Sequence, residues 1–580
     1  MTRLGLISTT CLSSLFQMRC SIRLLPLVAF EIYERTDIGP TLEGTLVRKL
    51  PTSHFVAVNG FLEDLLDGCP ALDYEFFEDD FETSDQSFLI EDVRISDSFS
   101  HFTSRIEDKY CSLIRSSVGL PKRNTLKCNL VTFENRNFNA DRGCNVGCDD
   151  SVANELKEIF FEEVVAKTRL AEVSEGRLSS NSVLLSDWLE KRAPNAYKSL
   201  RRALASFVFH PSMLTSYTLM VKSDVKPKLD NTPLSKYVTG QNIVYHDRCV
   251  TALFSCIFTA CVERLKYVVR DKWLFYHGMD IAELAGKLSN DLGDIRQYYT
   301  YELDISKYDK SQSSLMKQVE ELILLTLGVD KEVLSTFFCG EYDSIVRTMT
   351  KELVLSVGSQ RRSGGANTWL GNSLVLCTLL AVVLRGLDYD YVVVSGDDSL
   401  IFSRQPLEID TSVLSENFGF DVKVFNQAAP YFCSKFLVQV DDGLFFVPDP
   451  LKLFVKFGAS KTADIDLLHE IFQSFVDLSK GFNREDVIPG LVHLVTRRLK
   501  HSGWTYAALC VLHVLSANFS QFCRLYYHNS VSLDVRPVQR SESLSLMAMK
   551  IRMLRWKASR YAFSLKKKSS IASERNVSAP

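Results

Sequence analysis

The sequence has no apolar run of the ~18 residues that a membrane-spanning helix needs; even Leu374–Leu384 stops at Arg385. Internal repeats and long low-complexity tracts are absent too, which sets aside solenoids and repeat arrays. The 15 cysteines show neither regular pairing nor Cys-x2-Cys spacing. A disulfide-stapled secreted scaffold is therefore not indicated, and buried thiols in a reducing compartment are expected. Cys144 and Cys148 have no local partners to complete a zinc site. Leu4–Phe16 is too interrupted by Ser and Thr for a secretory signal core. A net charge of -3 and a pI near 6.4 lack the basic excess of a simple nucleic-acid binder. The charge is nevertheless segregated. Leu62–Asp97 holds 13 Asp or Glu against Arg94 alone, and Arg536–Pro580 holds 11 Lys or Arg against two Glu.

What is present is core and carboxylates. With 580 residues at 46% hydrophobic content, the chain can fill several domain-sized units or one large enzyme of several subdomains. Tyr391–Phe402 places two β-branched and aromatic runs around Ser395-Gly396-Asp397-Asp398. This predicts a hairpin with an acidic tip, in strands apolar enough on both faces to lie inside a sheet. Adjacent carboxylates repel unless a cation sits between them. Upstream, Tyr301–Gln312 reads as a short strand ending at Asp304, with Asp309 in the loop that follows. Gln360–Asn372 reads as a glycine-containing loop that runs into an apolar helix from Ser373 to Leu384, and Leu353–Val357 as the strand before it.

Asp304 with Asp309, then Ser363-Gly364 with Thr368 and Asn372, then Gly396-Asp397-Asp398 resemble, in that order, the A, B and C motifs of viral RNA-dependent RNA polymerases. The wording is similar to the alphavirus-like supergroup of plus-strand RNA viruses, most of all to closteroviruses. The resemblance implies an α+β right-hand polymerase with palm, fingers and thumb, its antiparallel palm sheet packed on helices. The expected layout is an N-terminal region with the acidic segment, partly disordered, at 1–110, fingers at 111–300 and palm at 301–450. A helical thumb at 451–535 and a basic tail at 536–580 complete it.

Within that frame, Asp304, Asp397 and Asp398 are the expected ligands of Mg2+, with Mn2+ as alternative; hard cations prefer carboxylate oxygen and need no His or Cys cluster. Asp309 and Asn372, supported by Ser363, Gly364 and Thr368, would hydrogen-bond a ribose 2′-hydroxyl. An enzyme for deoxyribose would place bulk there. Lys423 matches the motif D lysine and would protonate pyrophosphate. Tyr217–Val250 resembles the basic finger loop of the nucleotide channel; Lys222, Lys226 and Lys228 share one face if it is extended, and Pro227 disfavours a helix. Tyr431–Val438 resembles motif E. Arg136 with Asn137 resembles a finger element. His246 is expected to hydrogen-bond locally, and Trp504, Tyr506 and Tyr526 to pack in the core, with a face toward product duplex as the alternative.

The partners implied are RNA template and product, rNTPs, and a methyltransferase-helicase replicase protein. Host cytoplasm is the implied location, at membrane-associated replication complexes reached indirectly or through the basic tail. Two other classes stay open: a noncatalytic RNA-binding scaffold on a degenerate polymerase fold, which would lack a metal carboxylate, and a reverse transcriptase.

Overall fold

A computed structural model describes residues 125–137, 150–222 and 239–528, with breaks at 174, 350, 427–428, 459–460, 463 and 500–502, and, before 125, residues 41–42, 45–46, 52–66, 81, 85, 93–95 and 110–112. Lys226, Lys228, Cys144, Cys148, most of the acidic segment and the basic tail lie outside the described residues.

Helices α1 (Leu126–Arg136) and α2 (Asp150–Glu163) are followed by α3 (Ser182–Glu190) and α4 (Pro194–Ala205). Strands β1 (Ser216–Lys222) and β2 (Gln241–Tyr245) pair antiparallel, each alternating buried and half-buried residues as a strand with one face on the core must. Then come α5 (Arg248–Val268), β3 (Trp273–Phe275) and α6 (Ile281–Leu292), whose start is fixed by an Asp280/Glu283 capping box. Next are β4 (Tyr299–Ile305), the one-turn α7 (Tyr308–Ser311), α8 (Ser314–Thr326), α9 (Lys331–Tyr342), β5 (Ser344–Thr348) and β6 (Leu353–Val357). The long α10 (Thr368–Leu384) leads to the hairpin β7 (Tyr391–Ser395) and β8 (Asp398–Ser403). The chain continues through α11 (Ser412–Phe418), β9 (Val422–Phe425), β10 (Tyr431–Phe432), β11 (Lys435–Val440) and β12 (Gly443–Pro448). Helices α12 (Pro450–Gly458), α13 (Ile465–Leu478), α14 (Val487–Leu499) and α15 (Thr505–Ser516) follow, before a short helix Phe519–Cys523 and a strand Tyr526–His528.

The central sheet has the order β9-β4-β8-β7-β3. It is antiparallel except at one edge, where β3 runs parallel to β7 with Val392 opposite Trp273. The expectation of a wholly antiparallel sheet is corrected there. Both β3 and β7 leave long buried helices, α5 and α10, through short connections, so they enter the sheet from the same end. Val392, Val394, Ile401 and Leu303 pack on one face against α2, α5, α8, α9 and α10. On the other face Val393, Leu400 and Phe402 pack against α6 and the β10-β11-β12 sheet. Cover on both faces is why these strands carry no polar alternation.

A second sheet joins β6, β5, β1 and β2, extended by Arg94–Ile95. An organisation divided at residue 300 therefore does not follow the strands: β3 joins the central sheet, while β5 and β6 join β1 and β2. A third core gathers α12 to α15 with helix Thr52–Leu65, through Val58, Phe61 and Leu62. Among the described residues, no helix is long and apolar enough to cross a membrane.

One bidentate ion pair ties this helical core to the central sheet. Arg498 of α14 reaches Glu302 of β4 at 2.7 and 2.9 Å and lies over the Tyr431 ring at 3.7 Å. Burial pushes the Glu302 carboxyl up, and Arg498 pulls it back. With side chains only 18% and 12% exposed, loss of one partner leaves a charge stranded. Arg498→Ala is expected to cost about 3 kcal/mol, read as a lower urea midpoint at unchanged slope. Arg498→Lys should recover only part of it, because an ammonium lacks the planar fork. A loss below about 0.5 kcal/mol would place the pair in the solvent-screened class instead.

Candidate active site

The hairpin turn is tighter than the four-residue break suggested. Ser395 and Asp398 pair across the strands, leaving Gly396-Asp397 as a two-residue turn. Gly396 has φ +62, the left-handed backbone that a type II′ turn demands at its first central position. Helix α10 grips this turn from below: Gly396 N donates to Ser373 Oγ at 2.9 Å and Trp369 Nε1 to Ser395 Oγ at 3.0 Å. Ser395 Oγ in turn donates to the Tyr276 carbonyl at 3.2 Å. The result is a fixed backbone carrying two exposed carboxylates, Asp397 and Asp398.

Asp304, also exposed, stands on β4 next to this turn. Leu303 N donates to Ser399 Oγ at 3.2 Å, so the neighbours Asp304 and Asp398 occupy the same end of adjacent strands. On the other side of β4, Lys423 of β9 is the register partner of Asp304. Three carboxylates and one exposed lysine thus share one rim of the sheet. Among the described residues, no three His, Cys, Asp or Glu side chains close into a metal cage. The donors nonetheless suit Mg2+, which keeps several waters and is held by one or two carboxylates together with substrate phosphates. Cys433 also belongs to this rim. It turns the β10-β11 hairpin with Ser434, both at positive φ, and burial together with the neighbouring Asp398 pushes its thiol up.

Opposite the rim lies a locked polar pair. Asn372 falls within α10, which begins at Thr368 instead of the expected Ser373, and Asp309 within α7 instead of a loop. Asn372 Nδ2 donates to Asp309 Oδ1 at 3.0 Å. The amide cannot flip, since its oxygen already accepts from Gln312 Nε2 at 2.8 Å and Arg361 Nε at 2.9 Å. Burial raises the Asp309 carboxyl above its usual range and the charge of Asp397 adds to this, while Asn372 and Arg361 oppose it.

Beneath the pair is a charge cluster that sequence reasoning missed. Lys317, Glu320, Glu341 and Arg361 are all fully buried. Arg361 forks onto Glu320 at 3.1 and 2.7 Å, Lys317 bonds Glu341, and Asn367 Nδ2 donates to Glu320 at 2.6 Å. Burial alone would push Glu341 up, but Lys317, Arg361 and Arg362 hold it down at about 2. A Cβ at Gly371 would collide with the Arg361 guanidinium and Glu320, so this helical glycine makes room for the ion pair. The available signal was Lys317 and Glu320 standing on the apolar face of α8.

The remaining expected residues act through the backbone or stand apart. Ser363 Oγ bonds Val244 N and the Asn242 carbonyl, each at 3.2 Å. A Cβ on Gly364 would meet Ile243 and Tyr245 at 2.6 and 2.8 Å. Thr368 Oγ1 donates to the carbonyls of Arg362 and Gly365 at 2.8 Å. These three hold their loop on β2 and on itself. Asn137 joins the loop to the same strand by bonding Gln360 and Asn242. Lys222 ends β1. His246 bonds the Leu214 carbonyl at 2.8 Å, as a local group. Tyr526 packs in the core, but Trp504 and Tyr506 are 40% and 60% exposed, which corrects the expectation of core packing.

Comparison with known proteins agrees with this geometry. The family described as RNA dependent RNA polymerase matches residues 83–525. The chain is 88% identical over 541 residues to the replicase polyprotein 1ab of Grapevine leafroll-associated virus 3 (isolate United States/NY1), covering 93% of this chain and 20% of that protein. It is 33% identical over 499 residues to the replicase polyprotein 1ab of Beet yellows virus (isolate Ukraine), covering 84% and 16%. It is 28% identical over 493 residues to the methyltransferase/helicase/RNA-directed RNA polymerase of Raspberry bushy dwarf virus, covering 83% and 28%. The chain thus spans under a third of each relative's length, and its likeness to the first two agrees with the closterovirus wording of its motifs. With a family match running through both sheets, the rim and the helical core, the chain belongs to the RNA-dependent RNA polymerase family.

Proposed function

We propose that this chain copies an RNA template by nucleotidyl transfer from ribonucleoside triphosphates, expelling pyrophosphate. The observation that carries this reading is the juxtaposition of an exposed carboxylate rim, Asp304, Asp397 and Asp398, with the orientation-locked pair Asp309 and Asn372. The first suits a phosphoryl centre and the second a sugar hydroxyl. The central sheet with its helices is read as palm, the second sheet as fingers, and the core of α12 to α15 as thumb.

Asp304, Asp397 and Asp398 supply fixed negative charge on a backbone that α10 cannot release. They would hold two divalent cations, Mg2+ or alternatively Mn2+, which when bound lower the pKa of an attacking 3′-hydroxyl and stabilise the leaving oxygens. Lys222, with Lys226 and Lys228, steers the triphosphate by charge. Lys423, beside Asp304 in register, gives a proton to the departing pyrophosphate. Asp309 and Asn372 bind the ribose 2′-hydroxyl with the second amide N–H and the second carboxylate oxygen, which their mutual bond leaves free and which a sugar without the hydroxyl leaves unsatisfied. The raspberry virus relative carries methyltransferase and helicase in its name beside the polymerase. A replicase protein of those activities is the partner we propose, in host cytoplasm at membrane-associated complexes.

Template-directed incorporation of labelled nucleotides tests the reading. Asp397→Ala should lose about 100-fold or more in ribonucleotide extension. Asp309→Ala should extend but lose roughly tenfold in preference for rNTP over dNTP, the worth of one hydrogen bond of about 1.4 kcal/mol. Wild type that binds RNA yet extends nothing with either metal, even beside the replicase partner, would hand the chain to the scaffold reading.

Asp309 also makes a pH prediction. Its folded pKa lies above the unfolded one, so between the two the folded chain holds more protons, and stability falls as pH rises through that window. Asn at this position keeps the oxygen that accepts from Asn372 and cannot ionise. The urea midpoint of Asp309→Asn should therefore gain on wild type as pH goes from about 4 to about 7. A difference that shrinks over that range would contradict burial as the cause.

A further inference from the structure

Away from the rim, α3 and α4 form a pair with an unusual balance of charge and core. Between Trp188 and Phe209 the chain carries Lys191, Arg192, Lys198, Arg201 and Arg202 against Glu190 alone. Arg248, at the start of α5, faces the same place: its Nη1 donates to Ser199 Oγ at 2.8 Å. Together Asn195, Lys198, Ser199, Arg202, Ser206 and Arg248 line a groove of about 470 Å³. Among the described residues, none of Lys191, Arg192, Lys198, Arg201, Arg202 and Arg248 pairs with a carboxylate, although the whole chain is net acidic.

Helix α4 gains little from its own fold. None of its residues is buried, and its N-cap, Ala193, makes no side-chain bond. Lys198 repels Arg201 and Arg202 at the i+3 and i+4 positions, at a cost of a few tenths of a kcal/mol per pair. A helix of this length without packing is marginal in water. A polyanion laid along it would turn each repulsion into an attraction. The aromatic neighbours hold the cations in place: the Arg192 guanidinium lies 4.0 Å over the Trp188 ring, and Arg201, 5.9 Å over Tyr197, also donates to its hydroxyl at 3.1 Å, and guanidinium planes are among the faces on which single-stranded bases stack. The half-buried Tyr197, Leu200 and Leu204 share one side of the helix, the exposed Lys198 and Arg202 the other, and Arg201 stands at the border beside Tyr197. A basic amphipathic helix can also meet an anionic lipid surface, and that is the competing outcome of the test.

The groove adjoins the strand that holds the Ser363 loop. Arg248 is four residues from Val244, whose amide and carbonyl hold Ser363 and Gly364. Their Cα atoms are no more than about 15 Å apart along the chain. We infer that the α3-α4 face with Arg248 is a docking surface for single-stranded RNA, held through its phosphates without sequence preference, on the way to the rim. This rests on the polymerase reading only for the choice of RNA as polyanion.

The test is binding of a labelled oligouridylate to the full chain, followed by anisotropy between about 50 and about 200 mM salt. For single strands each phosphate contact contributes about 0.7 to the slope of log affinity on log salt. The triple variant Lys198→Gln, Arg201→Gln, Arg202→Gln should therefore lower the slope by about 2, and Arg248→Gln alone by about 0.7. Arg248→Gln, from the opposite wall, keeps the test valid should the triple variant fail to fold. Charge-preserving Arg201→Lys with Arg202→Lys should retain the wild-type slope. At saturating RNA the variants should turn over nucleotides like wild type, with only the RNA requirement raised. Unchanged slope and affinity in Arg248→Gln overturn the inference, as does loss of binding to anionic lipid vesicles with RNA binding intact. A wild type that binds RNA through this groove but incorporates no nucleotide sinks the polymerase reading and leaves the docking surface standing.

Discussion

The orientation of the Asp309–Asn372 pair rests on a buried guanidinium. Arg361 is fully enclosed, and an unpaired charge in that position would cost several kcal/mol. Glu320 from α8 therefore has to meet it, and Asn367 at the foot of α10 has to bond the same carboxylate. Lys317 and Glu341 complete the cluster and bring in α9. Because each member is stranded without the others, two helices and a loop are held in one arrangement. The remaining bond of Arg361, from Nε to Asn372 Oδ1, carries that rigidity to the site. Such a network is a poor source of net stability beside a well-packed apolar core. What it provides is orientation, since an amide whose oxygen already accepts two hydrogen bonds must point its NH2 at Asp309.

The carboxylate rim is fixed by a different means. Its backbone is gripped by short bonds from α10 to the turn, and its strands are apolar on both faces, so position comes from packing and ladder hydrogen bonds. Glu302 lies two residues before Asp304, and two residues along a strand share a face. The Arg498 bridge thus joins the helical core to the strand that carries a proposed metal ligand, on the same face of the sheet. Tyr431 sits under the Arg498 guanidinium and donates its hydroxyl to Asp449 at 3.0 Å. A movement of α14 would therefore be felt at β4 and at the β10-β11 hairpin together.

How much of this was legible in the sequence follows from how local each feature is. The hairpin, the strand ending at Asp304 and the strand Leu353–Val357 are read from runs of a few residues, and the structure has them where periodicity puts them. Helix α10 was read five residues short because Gly364, Gly365 and Gly371 look like loop chemistry. Gly371 breaks the local propensity rule to admit Arg361, a partner that lies across the loop and makes no local pattern. Lys317 and Glu341 are 24 residues apart, and nothing in either segment announces the other. The parallel edge at β3, and the packing of Thr52–Leu65 on helices more than 400 residues later, are likewise contacts between distant segments. Sequence periodicity carries faces and not partners.

The two halves of the site differ in how finished they are, and the difference has a physical reason. The proposed sugar reader can be positioned within the protein: Gln312 and Arg361 fix the Asn372 oxygen and Asp309 accepts from its amide in the absence of substrate. The rim cannot be completed in this way. Three carboxylates forced together without a cation would repel, and burying them would raise their pKa values until they took up protons. Left exposed on a backbone fixed by its ladder, Asp304, Asp397 and Asp398 stay solvated, and a cation of the kind proposed would offset their repulsion. On this view selectivity is built in by folding, whereas the reactive centre is assembled only when a triphosphate brings its own charge and cations to the rim. In the proposed reaction the sugar would thus meet a contact already oriented by Arg361 and Gln312, and the phosphates a rim still to be neutralised.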